Sequence, residues 1–455
     1  MSGPARVVLV GGGLAAAKTA QSLRKRGYDG EVTLLTAEPH RPYERPGLSK
    51  GYLTGSSGRD DLFVHDADWY RQQGVELHTS TRVTALDRQR REVHTAGGDR
   101  FGYDSVLLAT GAVPRRLEVP GGDLDGVQYL RTLDDSDALR TRLAAGGRVV
   151  IVGGGWIGLE AAAAARGAGC TVTVIEPAPQ PLLRVLGTEM ALVFADLHRA
   201  HGVRFRLGVS VEAFVRDGAA RVAGVRLTDG EVLPADTVVV GIGVVPADGL
   251  AREAGLEVAD GIVVGADLRS ADPTVVAAGD VAAAYHPVLG RRLRFEHWAN
   301  AVRQAPVAAA ALLGEPKAYE RLPYVFSDQY DVSLEYVGAP RNAADARVVV
   351  RGSVADHAFL AFWLEDGRVA AGMTVGVPDA VPALEALVKS PGPVNERWLA
   401  DPSVPLEDVA AGATPVQGAT PVQGATPVQG ATPVQGATPV QGATPVQAAR
   451  EGVRA

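Results

Sequence analysis

Residues 147–169 read GRVVIVGGGWIGLEAAAAARGAG, and residues 5–27 read ARVVLVGGGLAAAKTAQSLRKRG. The two share one grammar: a short β-branched run, a glycine turn, then a stretch rich in alanine, the residue that costs a helix least. Each is followed by a second apolar run, EVTLLTAE (31–38) and CTVTVIE (170–176). Strand, turn, helix and strand in that order, twice over, open two doubly wound parallel-sheet units. The first turn is G-x-G-x-x-A, from Gly11, Gly13 and Ala16, and the second is a full G-x-G-x-x-G, from Gly153, Gly155 and Gly158. Small residues there let the backbone reach a pyrophosphate, and the helix N-terminus stabilises its charge. One such turn can be a bare turn in a sheet; two at equivalent places make coincidence a poor account. An acid closes each second strand. Glu38 is placed to accept from an adenosine ribose hydroxyl. Glu176 favours NADH by repelling the extra phosphate of NADPH; no arginine directly follows it, and Arg184 lies further on. Two dinucleotides in one chain point to FAD and NAD(H), with electrons passing between them.

The rest of the chain bounds this reading. At 455 residues there is room for about three domains of roughly 150 residues. A net charge of −7 argues against a general affinity for nucleic acid, which needs a basic footprint. The single cysteine, Cys170, rules out an intrachain disulfide and a redox-active cysteine pair. The apolar run after MSGPA is too short for a signal-peptide core, so a cytoplasmic protein is the expectation. YDSVLLATGAVPR (103–115), ADTVVVGIGVVP (235–246) and PTVVAAGDVA (273–282) read as further buried strands ending in turns. After Arg321 short runs with aromatic residues suggest an antiparallel sheet plus a helix over about 379–400. From Gly412 to Gln447 the hexad GATPVQ occurs six times without variation; it can build no core and reads as a disordered tether.

The segment His40–Lys50, HRPYERPGLSK, is stiff, basic, and follows the first nucleotide-binding pattern directly. Reduced flavin carries negative charge near N1, so Arg45 and Lys50 are expected to hold cations against that ring, where a low dielectric enlarges their effect. Here the chain resembles the FAD-dependent, NADH-using ferredoxin reductases of bacterial monooxygenases and ring-hydroxylating dioxygenases, close to rubredoxin reductases. The resemblance covers about residues 5–400 and rests on RPYERPGLSK, LLATGAVPR, GGGWIGLE, GIGVVP, VVAAGDVA, RFEHWANAVRQA and VFSDQYD together.

The resemblance implies an α/β fold: two Rossmann-like domains, a small C-terminal α+β domain, and the repeat tail. The FAD domain would comprise 1–114 and 242–321, the NAD domain 115–241, the C-terminal domain 322–408 and the tail 409–455. It implies FAD contacts from Gly11, Gly13, Leu14, Ala15, Ala16, Glu38, Arg45, Lys50, Val83, Ala109, Thr110, Gly111, Arg131, Gly279, Asp280, Glu296, His297 and Trp298. Asp280, in AAGD at a helix start, would approach the ribityl and phosphate region, with Trp298 beside the isoalloxazine. NAD contacts would come from Gly153, Gly155, Trp156, Ile157, Gly158, Glu160, Glu176, Arg184, Gly241, Ile242 and Gly243. Lys50, Glu160 and Trp298 are implied as the catalytic set, Glu160 facing Lys50 near the nicotinamide. The mechanism implied is hydride transfer from NADH to flavin, then two one-electron steps to a [2Fe–2S] ferredoxin. Arg291, Arg292 and Arg294 are the candidate docking patch for that acidic partner.

Three departures stand out: Pro46–Gly47 replaces the usual double proline and should loosen the loop, Phe326 stands where tryptophan is common, and Ala305 where glycine is usual. Gly47–Gly51 fits G-x-S-x-G, but no strand leads into its serine. His198 and His201 read as a solvated helix end, and Cys170 as a small packed residue. Disulfide reductases of this fold need a cysteine at the flavin, and residues 40–50 hold none. A rubredoxin reductase, or a slow NADH-sensing flavoprotein similar to apoptosis-inducing factor, is the rival reading. Oligomeric state is left open.

Overall fold

The computed structural model describes residues 4–411, so the repeat from Gly412 onward lies outside the described residues. Two five-stranded parallel sheets form its first two units. In one, Arg6–Val10 is central, with Glu31–Leu35 and then Val75–His78 on one side and Ser105–Leu108 and then Val275–Ala277 on the other. In the other, Arg148–Val152 takes the same place, between Thr171–Glu176 and Thr237–Val240, with Arg204–Leu207 and Val127–Tyr129 at the edges. In each unit the chain departs to opposite sides of its central strand, which opens a crevice beyond that strand's carboxyl end. The chain crosses between the units on an antiparallel ribbon, Ala112–Pro114 against Val244–Pro246.

A third, antiparallel sheet runs in the order Tyr324–Gln329, Val332–Gly338, Arg368–Val375, Ala358–Glu365, Arg347–Ser353. Its strand AFLAFWLE looks unpatterned because both faces are covered. Phe359, Ala361 and Trp363 pack on one side with Met190 and Phe194 of the helix Leu183–Ala200. Leu360, Phe362 and Leu364 pack on the other, in the cluster that also holds the first unit's core and Leu384. That alternation is the period-two geometry of a strand between two layers. The helix expected over about 379–400 is broken into Val381–Lys389 and Glu396–Ala400. The interruption falls at Ser390–Pro393, where Pro391 and Pro393 remove backbone donors and restrict the residues before them.

The helix Leu183–Ala200 is itself kinked at Gly187, whose φ of 72° belongs to the left-handed region. A Cβ there would stand 2.6 Å from the Ala343 carbonyl oxygen of the third unit. Trp363 Nε1 donates to the Leu186 carbonyl at 3.0 Å, tying the third sheet to the helix beside its kink.

Candidate functional site

Both glycine turns open on one cleft of about 810 Å³. The turns approach the neighbouring strand so closely that no side chain fits: a Cβ on Gly11 would lie 2.2 Å from the Ala109 carbonyl oxygen, and one on Gly153 would lie 2.4 Å from that of Gly241. Behind them start the helices Leu14–Lys25 and Trp156–Gly167, whose N-caps, Gly13 and Gly155, make no side-chain cap bond. Neither helix has an acidic residue in its first turn. Two helix termini with unspent N–H donors therefore face the same space, which suits two anionic phosphate groups. The helix Leu133–Ala144 shows the contrast: Thr132 and Asp135 close it with a full capping box. Trp298 Nε1 and Arg131 Nε, also in the cleft wall, are buried donors with no partner in the protein. The residues present thus fit two dinucleotides.

Every residue singled out from the sequence for this cleft lines it except Ala16, which is fully buried in the first unit's core. Ala16 serves close packing of helix on sheet. Asp280 stands in a turn ahead of the strand Ala282–His286, so its expected place at a helix start is wrong. It accepts from Arg131 Nη2 at 2.8 Å, while the preceding Gly279 N–H donates to Gln304 Oε1 at 2.8 Å.

The basic loop is not a bare cationic patch. Arg45 Nη2 donates to Glu38 Oε1 at 2.7 Å, and Tyr43 donates its hydroxyl to Glu38 Oε2 at 2.5 Å. Tyr43 in turn accepts from the Leu133 N–H at 3.0 Å, and burial raises its phenol well above the ordinary range. Lys50 pairs with Glu160 and lies 3.8 Å from Asp328. Both cations thus come with fixed counter-charges. Nor does Gly47 loosen the loop: Pro46–Ser49 is a 3₁₀ turn in which Gly47, Leu48 and Ser49 are buried. Leu62 presses so closely on Gly47 that a Cβ would lie 2.4 Å from its methyl.

Glu160 is the point where three units meet. The carboxylate, 5% exposed, takes the Lys50 ammonium and the Ser49 hydroxyl (2.6 Å to Oε2) from the first unit. The Ser327 hydroxyl (2.7 Å to Oε1) comes from the third. Ser49 is therefore a positioning donor, in a 3₁₀ turn that no strand feeds. Ser327, Asp328 and Gln329 carry no motif signal beyond their place in VFSDQYD, and sequence reasoning weighed only Phe326 there. In the second glycine unit, Glu176 Oε2 accepts from the Gly154 N–H at 2.7 Å and Oε1 from the Ala178 N–H at 2.9 Å. Backbone donors hold this carboxylate at the cleft wall.

His297 caps the helix Trp298–Leu312, its Nδ1 facing the Ala299 N–H at 3.2 Å, and Phe326 stands edge-on to both His297 and Trp298. Desolvation lowers the His297 imidazole to about 3, so it is neutral. The arginines expected to greet a partner are fasteners. Arg291 donates to the Ala339 carbonyl, and Arg292 to those of Val264 and Ala283. Arg294, its side chain 9% exposed, is paired with Asp260 and Glu296. Arg294 is thus neutralised internally, whereas Arg291 and Arg292 meet only backbone carbonyls, which cancel no charge, and Arg292 stays exposed.

His198 also departs from expectation: it is fully buried and hydrogen-bonded. Cys170 is buried among Leu143, Val172 and Val203, as a small packed residue. Among the described residues no helix is long and apolar enough to cross a membrane, and no group of three or more His, Cys, Asp or Glu could hold a metal ion.

Residues 5–305 match the family described as pyridine nucleotide-disulphide oxidoreductase, and residues 324–410 match the reductase C-terminal family. Residues 411–445 match a Schizosaccharomyces pombe repeat of unknown function. The chain is 40% identical over 405 residues to the 5,5'-dehydrodivanillate O-demethylase ferredoxin reductase subunit of a Sphingobium strain, covering 89% of this chain and 98% of that protein. It is 37% identical over 411 residues to putidaredoxin reductase from Pseudomonas putida, covering 90% and 97%. Among solved structures, a covalent putidaredoxin reductase–putidaredoxin complex superposes with a TM-score of 0.85 at 37% identity, over 90% of this chain and 98% of that one. A ferredoxin reductase from Rhodopseudomonas palustris gives 0.85 at 38% identity, over 89% and 100%. With two uncapped glycine turns on one cleft and matches that span nearly all the described residues, the chain belongs to the pyridine nucleotide-disulphide oxidoreductase family and carries its reductase C-terminal domain.

Proposed function

We propose that this protein passes electrons from NADH through FAD to a [2Fe–2S] ferredoxin that serves a monooxygenase or dioxygenase. The observation that carries it is the pair of uncapped glycine-turn helices on one cleft, with the buried Lys50–Glu160 pair in its wall. The names of the similar proteins, ferredoxin reductase components of oxygenase systems, support the choice of acceptor. The segments 1–114 and 242–321 would bind FAD, 115–241 would bind NAD, and 322–408 would complete the site.

Gly11 to Ala15, Glu38 and Arg131 would hold FAD, and Gly153 to Gly158 with Glu176 would hold NADH. Bound FAD would supply the conversion of a two-electron hydride into two single electrons. This chain's residues position that exchange. Glu176, already fixed by two backbone donors, has acceptor capacity left for a ribose diol and repels a 2′-phosphate, which favours NADH over NADPH. Lys50 and Glu160 neutralise each other, so the site gains order without an uncompensated buried charge. Trp298 and Phe326 wall the cleft with apolar surface and exclude water. Its one cysteine, Cys170, lies in the second unit's core, which argues against thiol chemistry at the flavin.

The test is NADH-dependent cytochrome c reduction by the purified yellow protein, with and without an added [2Fe–2S] ferredoxin. A large ferredoxin-dependent increase is expected. No increase across several ferredoxins, with the flavin still bleached by NADH, would move the acceptor to rubredoxin, a quinone or oxygen.

A further inference from the structure

A buried line of polar side chains leads away from Glu160. Ser327 Oγ donates to Glu160 Oε1 at 2.7 Å, and Gln329 Nε2 donates to Ser327 Oγ at 3.1 Å. Gln329 Oε1 lies 2.8 Å from His198 Nε2, and the Tyr330 hydroxyl 3.2 Å from His198 Nδ1. Ser327, Gln329 and His198 are 1%, 1% and 0% exposed, so no solvent substitutes for a missing partner. Chemistry fixes the direction of every bond. A carboxamide oxygen only accepts, so His198 Nε2 carries its proton and Nδ1 is the acceptor for Tyr330. All the donors therefore point the same way, from Tyr330 through His198, Gln329 and Ser327 to one carboxylate. Such a line polarises along its length and ends on the anion that Lys50 needs.

The far end is built under strain. Tyr330 sits at φ 58° in the two-residue turn between Tyr324–Gln329 and Val332–Gly338, where a bulky residue is rare. Its ring stacks on His201 at 3.6 Å between centroids, with 9° between planes. His198 and His201 both belong to the end of the kinked helix, so the second unit grips the hairpin tip of the third.

We propose that His198 is a positioning residue for the Lys50–Glu160 pair, acting through Gln329 and Ser327 to fix the carboxylate that the nicotinamide half of the cleft is built around. The proposal rests on the functional reading above and extends it to a residue outside the cleft. His198 does not line the cleft; its part is to hold Gln329 in the one amide orientation that donates to Ser327.

Three measurements test it without ferredoxin, so failure of the acceptor assignment and failure of this inference are separate results. In the intact wild-type holoprotein, nitrogen-15 NMR of labelled histidine should show His198 with a protonated Nε2 and a bare Nδ1; the opposite tautomer would overturn the proposal. In stopped-flow reduction by NADH, His198→Leu should slow flavin bleaching about three- to tenfold, towards the lower end for coupled polar neighbours. NADH affinity should stay within about twofold, because ribose and phosphate contacts are untouched. His198→Gln, which restores an N–H donor, should recover most of the rate, whereas a mere packing role would leave His198→Leu the faster variant. In a Ser327→Ala background the His198→Leu effect on rate should vanish, since the line is already cut; full additivity there would sink the inference. Urea midpoints on the same four proteins give the same cycle without turnover: the stability losses should be non-additive.

Discussion

At the scale of single residues, the cost of the site concentrates in Glu160. Replacing it with alanine leaves Lys50, 8% exposed on its side chain, with only Asp328 at 3.8 Å. Removing one partner of a buried pair costs about 3 kcal/mol, because the other charge stays desolvated. Glu160→Ala is therefore expected to lower the urea midpoint and to slow flavin reduction by NADH; reduction at the normal rate would show that the pair is structural only. His198 sets a pH dependence. Burial lowers its imidazole to about 4 from an ordinary 6.5, with the Gln329 contact opposing the shift. As pH falls, the unfolded chain takes up this proton first. The stabilisation is therefore complete above about 6.5 and is lost as pH falls towards 4, with a slope of up to about 1.4 kcal/mol per pH unit. Urea midpoints between pH 7 and 4 should fall accordingly, and the His198→Leu protein should show a shallower fall.

At the scale of elements, the kinked helix Leu183–Ala200 joins the second and third units. Its break at Gly187 turns the Leu186 carbonyl towards Trp363, and the last turn brings His198 and His201 to Tyr330. Gly187→Ala must hold φ near 72° with a Cβ against the Ala343 carbonyl and should cost about 1–3 kcal/mol. Trp363→Phe keeps most of the apolar contact but removes the buried hydrogen bond to the Leu186 carbonyl, at about 1 kcal/mol. Thermal unfolding checks both. The two substitutions touch the same junction, so the double variant should lose less than their sum.

At the scale of the whole molecule, the described residues 4–411 build a cleft and its cores. Ending the chain after Ala411, before the GATPVQ repeats, is expected to leave flavin reduction and melting temperature unchanged. A fall in either would give the repeats a part in the fold or site. The third sheet shares one core with the first unit and another with the second unit's kinked helix. The flavin signal and far-ultraviolet ellipticity should therefore be lost in one coincident transition.

The glycine turns, the strands before them and the acids after them were legible in the sequence because each depends on neighbours a few residues away: a short steric rule, a helix terminus, a period of two or 3.6. The rest of the cleft, from Arg45 to Trp298, was reached through the family resemblance that RPYERPGLSK, LLATGAVPR, VVAAGDVA and RFEHWANAVRQA carry. Folding decided most of what faces what. Ser49, Ser327 and Lys50 reach Glu160 across 111, 167 and 110 residues, and His198 reaches Gln329 across 131. No local pattern encodes such a meeting: the Lys50–Glu160 pair was expected only through the family resemblance, while His198 looked like a solvated helix end and Arg294 like part of a free basic patch. The burial of His198 and the pairing of Arg294 arise only when distant segments close on one another, because desolvation and hydrogen-bond partners are properties of the packed chain.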